Sequence, residues 1–548
     1  MSFAQQATSG TFYLMTRRIR FILVLFAVCS LLVLSGCASH QSNESGAITT
    51  NGSEPENLLI PANTNEVGGG KILDLIFSGL VAYTPEGRVE NEVAESITTD
   101  DEKTYTITLK KGWTFSDGSP VKAHNFANAW KLGAKEAMIA SSNYSLIEGT
   151  SDDGTGQMSG VSTPDDQTLV VKLKQADAEF VSRLGHQSFY PLPDAAFGTD
   201  GKLLDGFGEH PIGNGMYKFK DENSWVHNQK VELVKNSTYA GTRKPKNDAL
   251  TINFYTRIEA AYEDLRSGRL DIIDKIPYSS IANYEQDLDG RSVSQPTAWI
   301  QHIVIPGSVE HFGFDEEGSL RRAAMSRAIS REEIIDKIFH GTMTPATDFT
   351  SPVLPGYTKD LEGAEVLKYD AKEAKKLWDE AEKISHFTGK FTIAYNSDDN
   401  HQAWVEAVAH QLKNTLGMEV SAQAYSDFGT LRKMVNAGEV HGALRFGYQA
   451  GRPTQVNLLE NLFIDGATAN DAGYHDPEFD SLLKEAISRR DEAERFQAVR
   501  EAQSILLKDL PAIPMWNQNV VGGWSERVKN VTFDWHGVPV YWQVEIGS

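Results

Sequence analysis

The sequence predicts an α/β protein that divides into two or three lobes. At 548 residues the chain is longer than a single hydrophobic core usually grows, so more than one lobe is expected. Residues 104–130 show alternating apolar residues, then a Ser-Asp-Gly turn, then apolar residues at helical spacing, which predicts a strand, a turn and a helix. Residues 391–425 predict a strand, a helix and a strand, the order of a parallel βαβ unit with a right-handed crossover.

The net charge of the chain narrows the classes of partner. Against 74 Asp and Glu residues there are 52 Lys and Arg residues, so the formal charge is −22. The phosphates of a nucleic acid would be repelled over most of such a surface, and nucleic acid is therefore not an expected partner. The hydrophobic content of 40% is that of an ordinary globular protein rather than a disordered one.

The first 36 residues are typical of a secretory signal peptide. Three arginines precede an apolar run at residues 21–34, which is short for a permanent membrane span, and small residues follow it. An uncleaved signal anchor is the alternative. Leu34-Ser35-Gly36-Cys37 resembles a bacterial lipobox, which implies that Cys37 is lipidated and becomes the first mature residue.

Lipidation at Cys37 would hold the protein on the outer face of the cytoplasmic membrane. Because Cys29 lies in the removed segment, no disulfide and no thiolate metal site would remain in the mature chain. Residues 37–57 are rich in Ser, Asn, Gly and Thr, so we predict a flexible tether there.

Order is expected to begin near residue 58. Residues 57–61 predict a first strand, and residues 71–83 have apolar residues at helical spacing. Between them lie three successive glycines, Gly68 to Gly70, which are predicted to leave backbone amides bare in a loop. This loop is interpreted either as a ligand-backbone contact or as a flexible connection.

Further elements follow the same two periodicities. Strands are predicted at residues 168–173, 230–235, 250–255 and 510–516, and long helical periodicity at residues 477–507. Residues 320–338 predict a helix pair broken at Ser330, because Ser330 with Glu333 three residues later is a capping box.

The chain shows no convincing catalytic motif. His-Glu-x-x-His, the Gly-x-Ser-x-Gly elbow and the phosphate-cradling loop are all absent from the sequence. Ser119-Pro120-Val121-Lys122 matches Ser-x-x-Lys, but it closes a polar turn instead of starting a helix in an apolar cleft. The histidines have no metal-ligand spacing. No catalytic residue, metal or cofactor is therefore predicted.

One string carries a family resemblance. WTFSDGSPV at residues 113–121, followed by Asn125-Phe126, resembles the signature of the extracellular solute-binding proteins of family 5, which serve peptide-type ABC importers. Residues 211–217 resemble the same family's Pro-x-Gly-x-Gly-x-Tyr passage, which is interpreted as a strand that crosses between lobes. The resemblance implies a bilobal, periplasmic-binding-protein-like α/β fold of class II, of the large three-domain type, with a hinge between the lobes.

The resemblance also implies a division of the chain. Lobe 1 would have its core in residues 58–84, 213–296 and 512–548, an extra domain would occupy residues 85–212, and lobe 2 would occupy residues 297–511.

The implied function is capture of an extended peptide, or a peptide-like solute, between the lobes and its delivery to a permease. The ABC permease and ATPase subunits would be partners, a monomer is expected, and no catalytic step is implied. A binding protein for a sugar or a metal chelate is one alternative. A surface-anchored hydrolase is the alternative from another class.

The resemblance places the implied ligand contacts on two sides of a groove. The pairing backbone and its neighbours would be Glu66, Val67, Gly68 and Gly69 on one side, and Gly447, Tyr448 and Gln449 on the other, with Trp299 and Gln301 nearby.

The chain departs from its relatives at Gly451-Arg452, where they carry Asp-Tyr and use the aspartate to pair with the α-amine of a peptide. Arg452 is interpreted as a group that binds a ligand carboxylate, as a solvated arginine, or as part of an internal ion pair. Glu66 is a further candidate to replace the missing aspartate.

Overall fold

The computed structural model describes residues 46–547, in which the strands form one large mixed sheet and several smaller antiparallel ones. The large sheet has twelve strands in the order β16-β15-β17-β13-β18-β12-β1-β11-β10-β8, with β14 paired to β18 and β9 paired to β10. Its strands are β1 (Ala47–Gly52), β8 (Tyr217–Phe219), β9 (Trp225–Val226), β10 (Lys230–Lys235), β11 (Ala249–Phe254), β12 (Ile272–Ile273), β13 (Ser292–Val304), β14 (Met343–Pro345), β15 (Phe391–Asn396), β16 (Val420–Tyr425), β17 (Ala443–Gln449) and β18 (Ala512–Trp524).

A separate four-stranded antiparallel sheet has the order β4-β5-β7-β6. Its strands are β4 (Ala94–Thr98), β5 (Thr104–Leu109), β6 (Val161–Asp165) and β7 (Thr168–Lys172). Two short pairs complete the strands: β2 (Val81–Tyr83) with β3 (Val89–Asn91), and β19 (Val528–Lys529) with β20 (Glu545–Ile546).

The α-helices of the described residues cover and connect these sheets. They are α1 (Val67–Ile76), α2 (Ala123–Lys135), α3 (Phe180–Arg183), α4 (Ile258–Arg266), α5 (Tyr284–Asp287), α6 (Glu316–Ala328), α7 (Arg331–Ile338), α8 (Ala371–Ile384), α9 (Gln402–Leu416), α10 (Phe428–Asn436), α11 (Gln455–Phe463), α12 (Pro477–Ser488) and α13 (Glu492–Asp509). Within residues 46–547 no helix combines the length and the apolar character that a bilayer crossing needs.

The two longest strands, β13 and β18, join the two halves of the large sheet. They run antiparallel, and their register shifts between Pro296 and Ile300. On one side of them lie β12, β1, β11, β10 and β8, and on the other side lie β17, β15 and β16. The second half is packed on both faces, because Ile393 and Ala394, which point to opposite faces of β15, enter different hydrophobic clusters.

The predicted strand, turn and helix of residues 104–130 are confirmed. Tyr105, Ile107 and Leu109 of β5 are buried while Thr106 is exposed, as the alternating pattern requires. The helix that follows buries Trp130, whose indole nitrogen donates a hydrogen bond to the Phe189 carbonyl at 2.9 Å.

The predicted βαβ unit and the broken helix pair are also confirmed. Strands β15 and β16 are parallel, with Phe391 opposite Val420, and α9 connects them. Helix α7 begins after Ser330, whose hydroxyl accepts a hydrogen bond from the Glu333 amide at 3.4 Å. The single periodicity at residues 477–507 forms two helices, α12 and α13, because Asp491 caps a new helix.

The prediction of a flexible tether is wrong for residues 47–52, which form β1 and pair in parallel with β11. Polar residues can occupy this central strand because their hydrogen bonds are satisfied: the amide and hydroxyl of Thr49 both donate to the Asp271 carboxylate, at 2.8 and 2.9 Å. Residues 57–61 do not form the expected strand, and Pro61 instead begins a short 3₁₀ turn. Cys37 lies outside the described residues.

Residues 211–216 do not form the strand predicted for the passage with two glycines. Only Tyr217 and the two residues after it pair, as β8. A Cβ atom on Gly213 would lie 1.8 Å from the carbonyl oxygen of Ile76, so these glycines allow the loop to pass closely over the end of helix α1.

Candidate functional site

A cavity of about 830 Å³ opens beside the first turn of helix α1. This volume lies in the range of small-molecule and cofactor sites in proteins. Its walls come from distant parts of the chain: residues 65–75, 82–92, 139–143, 185–190, 242–243, 449–451 and 534–543 each contribute. Four of the predicted ligand-binding residues line it together, namely Glu66, Val67, Gln449 and Gly451.

One wall of the cavity is the N-terminus of helix α1. The three glycines form its first turn, so the prediction of a bare loop is wrong. The Gly69 amide donates to both carboxylate oxygens of Glu66 at 2.9 Å, and Gly68 and Gly69 are buried. Glu66 is therefore the helix cap, and its carboxylate already accepts hydrogen bonds from the chain.

Another wall is the end of strand β17. Gln449 pairs with Trp299 of β13, Tyr448 with Ile300, and Gly447 with Gln301. The Gln449 side-chain amide donates to the His536 carbonyl at 3.1 Å, which ties this strand to the C-terminal loop of the cavity. An added Cβ on Gly451 would meet only Asn457 Oδ1, at 4.0 Å, so this backbone is open to close approach.

Several predicted site residues do not line the cavity. They are Gly68, Gly69, Trp299, Gln301, Gly447, Tyr448 and Arg452. Gln301 is 1% exposed, and its amide donates to the His302 carbonyl at 2.9 Å, which is a structural role. Trp299 covers Gly447, because a Cβ there would lie 2.1 Å from the indole Cζ2 atom.

The contact between Trp299 and Gly447 gives a prediction. Gly447→Ala is expected to lower the free energy of unfolding by about 1–3 kcal/mol, because the indole must move or the strands must separate. Chemical denaturation measures the change. Gly429→Ala, in the first turn of helix α10, is the matched control and should be neutral or stabilising. Equal stability of Gly447→Ala and the parent chain would contradict the described packing.

The cations of the cavity walls all have carboxylate partners. Lys71 pairs with Asp274, Arg243 with Glu92 at 3.3 Å, and Arg88 with Glu86 at 3.7 Å. These pairs leave no uncompensated cation among the lining residues that the structure describes.

Four carboxyl groups on these walls, those of Glu66, Asp74, Glu90 and Asp534, have no cation partner within 4 Å among residues 46–547. Glu66 is the helix cap, and two of the others, Asp74 and Asp534, have shifted pKa values. Asp74 accepts a hydrogen bond from the Tyr190 hydroxyl at 2.8 Å. Asp534 accepts hydrogen bonds from the backbone amides of His536 and Val538, at 2.9 and 2.8 Å. Asp74 is exposed within the cavity and Asp534 is half-buried, but the surrounding walls keep bulk water away from both, which raises the pKa of Asp74 to about 6 and that of Asp534 to about 7. The cavity can therefore accommodate a positively charged group.

The cavity also offers apolar surface. Tyr83 and Trp535 meet edge to face, with ring centroids 5.8 Å apart. Val67 and Ile139 line the same space and are 58% and 50% exposed, although both are large and apolar. Exposed apolar residues at a cavity are typical of a ligand contact.

Arg452 is buried, at 4% exposure, and its guanidinium donates to the carboxylate of Glu460. The interpretation as a solvated arginine is therefore wrong, and the internal ion pair describes the residue. Arg183 Nη2 donates to the same carboxylate at 3.3 Å. Together the two arginines hold the pKa of Glu460 below its usual value, although removal from water opposes them.

Sequence reasoning missed the carboxyl groups and aromatic rings of the cavity, Asp74, Asp534, Tyr83 and Trp535. The signal in the sequence for two of them is the string Phe533-Asp534-Trp535, an acid between aromatic residues after the last long strand. Nothing in the sequence singles out Asp74, which lies within an ordinary amphipathic helix.

The model of the bacterial extracellular solute-binding proteins, family 5 middle region, matches residues 88–470. The oligopeptide-binding protein OppA of Bacillus subtilis is 24% identical over 93% of this chain and 96% of its own length. The periplasmic oligopeptide-binding protein OppA of Haemophilus influenzae is 28% identical over 86% of this chain and 87% of its own length.

Solved structures show the same fold. The unliganded open form of MppA, a periplasmic murein tripeptide binding protein, has a TM-score of 0.78 at 22% identity, over 92% of this chain and 98% of that one. Haemophilus influenzae OppA in complex with the peptide RPPGFSPFR has a TM-score of 0.68 at 26% identity, over 92% and 99%. The predicted class II, multi-domain α/β fold is confirmed.

Proposed function

This chain belongs to family 5 of the bacterial extracellular solute-binding proteins, and on that premise we propose that it captures an extended peptide, or a peptide-like solute, and releases it unaltered. The observation that carries the proposal is the cavity of about 830 Å³ that brings together Glu66, Val67, Gln449 and Gly451. The names of relatives as oligopeptide-binding and dipeptide-binding proteins support a ligand of the peptide class.

The ligand would lie along the exposed backbone near Gly451. The Gly451 amide already donates to Asn457 Oδ1 at 2.8 Å, so its carbonyl oxygen is the group that would accept a hydrogen bond from the ligand. Main-chain hydrogen bonds of this kind hold a peptide without strict sequence preference. An apolar side chain of the ligand would contact Val67 and Ile139, beside the rings of Tyr83 and Trp535.

The charges on the cavity walls predict the direction in which a bound peptide lies. Asp74 and Asp534 face the cavity without a cation partner, whereas each lining cation is already paired. The α-amine of a peptide would therefore be directed toward these carboxyl groups, and an ammonium group there would replace the missing counter-charge.

The cellular location, oligomeric state and partners of the protein are also proposed. Family members are extracytoplasmic binding proteins rather than enzymes. We propose that lipidation of Cys37 anchors this one to the outer face of the cytoplasmic membrane, that it acts as a monomer without a catalytic step, and that it delivers its ligand to an ABC permease driven by ATPase subunits.

Incubation with a mixture of short peptides, followed by mass spectrometry of the bound fraction, tests the function. The proposal predicts that peptides are retained and recovered at their original masses. Fragments would indicate a hydrolase instead. Retention of an added sugar or metal chelate in preference to every peptide would indicate a binding protein for another solute.

The pH dependence of binding follows from the two carboxyl groups. Because the pKa of Asp534 is raised to about 7 and that of Asp74 to about 6, both carry protons in the ligand-free protein at low pH. An incoming ammonium group must displace these protons. Affinity for a tripeptide with a free amine is therefore expected to fall by up to about tenfold per pH unit between pH 7 and 6, where Asp534 is protonated, and more steeply below pH 6, where Asp74 is protonated as well.

The neighbouring groups keep their charge over this range. Lys71 remains protonated because Asp274 raises its pKa against the opposing effect of burial. His536 remains neutral because burial lowers its pKa to about 4, and burial raises the pKa of Tyr541 to about 12. Isothermal titration calorimetry between pH 5 and pH 8 measures the profile. A flat profile for the free-amine peptide, matching that of its N-acetylated form, would contradict it.

A further inference from the structure

Ion pairs cross between the four-stranded-sheet domain, here residues 94–183, and the helical layer formed by α11, α12 and α13. Arg183 of the domain donates to Glu460 of α11 at 3.3 Å. Glu179 lies 3.5 Å from Arg495 of α13. These two contacts come from the two ends of the short helix α3, Glu179 at its N-cap and Arg183 at its last residue.

A second group of contacts extends this interface. Arg490 Nε donates to Glu102 Oε1 at 2.7 Å, and its Nη2 donates to the Thr99 carbonyl at 2.7 Å. The Ala178 amide donates to the Ile487 carbonyl at 2.5 Å. The interface is therefore polar along its length and contains charges of both signs on both sides.

Arg183 and Glu460 each have a second partner on their own side of the interface. Arg183 Nε donates to Asp177 Oδ2 at 2.8 Å within the domain, and Arg452 donates to Glu460 within the other part of the chain. Separation of the two sides would break the bond between Arg183 and Glu460 without leaving either charge isolated. A buried pair that lacked these second partners would be far more costly to break.

The hydrogen bonding of the interface is incomplete. Nine buried side-chain polar atoms in residues 46–547 lack a hydrogen-bond partner, and four of them lie here: Glu179 Oε2, Ser182 Oγ, Arg452 Nη1 and Arg495 Nε. When the two sides separate, water can supply hydrogen bonds to these atoms, which lowers the cost of separation. Such a contact can form and separate reversibly.

The interface adjoins the ligand cavity at two points. Gly451, which lines the cavity, directly precedes Arg452. Tyr83 also lines the cavity, and its hydroxyl donates to the Ser182 carbonyl at 2.7 Å. A ligand in the cavity would therefore touch residues bonded to both sides of the interface.

We propose that these ion pairs form an electrostatic latch, which holds the helical layer against the four-stranded-sheet domain in the arrangement of this structure and which any relative movement of the two must break. The latch goes beyond the proposed function and does not depend on the identity of the ligand. Added salt favours the separated state, because charges that become exposed are screened more strongly than buried ones.

Distance measurement by pulsed electron paramagnetic resonance tests the latch on the ligand-free full chain. Spin labels are attached at Ser162→Cys and Lys508→Cys, which are exposed positions on the two sides, in a background of Cys29→Ser and Cys37→Ser. The unaltered interface at low salt is expected to give one narrow distance distribution. Glu460→Gln is expected to shift the distribution to longer distances and to broaden it, and high salt should do the same to the parent chain.

Two further variants make the test decisive. Arg490→Ala removes an arginine that is 63% exposed, so it should fold normally and still lengthen the distance, by less than Glu460→Gln does. Asp471→Asn removes the partner of Arg432 on helix α10. This ion pair does not cross the interface, so the variant is the matched control and should leave the distribution unchanged. The latch is overturned if Glu460→Gln and Arg490→Ala both keep the narrow parental distribution, or if Asp471→Asn broadens it equally. No outcome depends on peptide binding.

Discussion

Asp534→Asn is expected to weaken binding of a tripeptide with a free α-amine by about 10–100-fold. A hydrogen bond to a charged group contributes about 1.5–3 kcal/mol, and each 1.4 kcal/mol corresponds to a factor of ten in affinity. Asparagine has the same shape and keeps an oxygen that can accept the hydrogen bonds from the His536 and Val538 amides. The loop should therefore stay in place while the cavity loses a charge. Isothermal titration calorimetry at pH 8 measures the change.

Two controls isolate the charge. Glu86→Gln removes a carboxylate from the same cavity wall, but Glu86 is 67% exposed and paired with Arg88, so affinity should hardly change. The N-acetylated form of the tripeptide should bind the parent chain and Asp534→Asn equally well. If Asp534→Asn lowers affinity for both peptides alike, the carboxyl group shapes the cavity and does not recognise the amine.

Arg322→Ala is expected to lower the free energy of unfolding by about 2–5 kcal/mol. Arg322 is fully buried, and its guanidinium donates to the carbonyl oxygens of Phe312, Leu510 and Ile305 at 2.9–3.0 Å. It joins helix α6 to the chain on both sides of it. Alanine would leave these carbonyls without their donor and open a cavity.

Chemical denaturation followed by tryptophan fluorescence measures this loss. Burial lowers the pKa of Arg322 to about 9, so the side chain is still charged at neutral pH and donates all of its bonds. Arg322→Lys should be intermediate, because an ammonium group cannot reach several carbonyls in a plane. Lys337→Ala, an exposed cation on the next helix, should cost less than 1 kcal/mol. A loss below 1 kcal/mol for Arg322→Ala would contradict the structural role.

Local patterns predicted much of the fold. The strand and helix of residues 104–130 and the βαβ unit of residues 391–425 follow the alternation of apolar residues, since burial of one face decides both. Strand β1 was missed because it does not show this alternation of apolar residues. Its Thr and Asn side chains look like those of a tether, and only the distant Asp271 carboxylate, 222 residues further along the chain, satisfies Thr49. A partner at such a separation leaves no trace in the local sequence.

The site was harder to predict than the fold. Glu66 and Gln449 were found through a resemblance, and both line the cavity. Asp74 and Asp534 were missed because they are 460 residues apart and only the folded chain brings them to one cavity. Arg452 was interpreted without Glu460, although that residue lies only eight positions later. The spacing of these two permits an ion pair, but burial, which decides between pairing and solvation, depends on the whole fold.

The cavity of about 830 Å³ is proposed to hold a peptide and to release it unaltered. Native mass spectrometry of the full chain in detergent, mixed with tripeptides that have free or acetylated amines, tests it most directly. We expect one peptide per chain, at its original mass, with free-amine peptides retained by the parent chain and lost from Asp534→Asn. Recovery of fragments, or the absence of any peptide adduct on the parent chain, would contradict the claim.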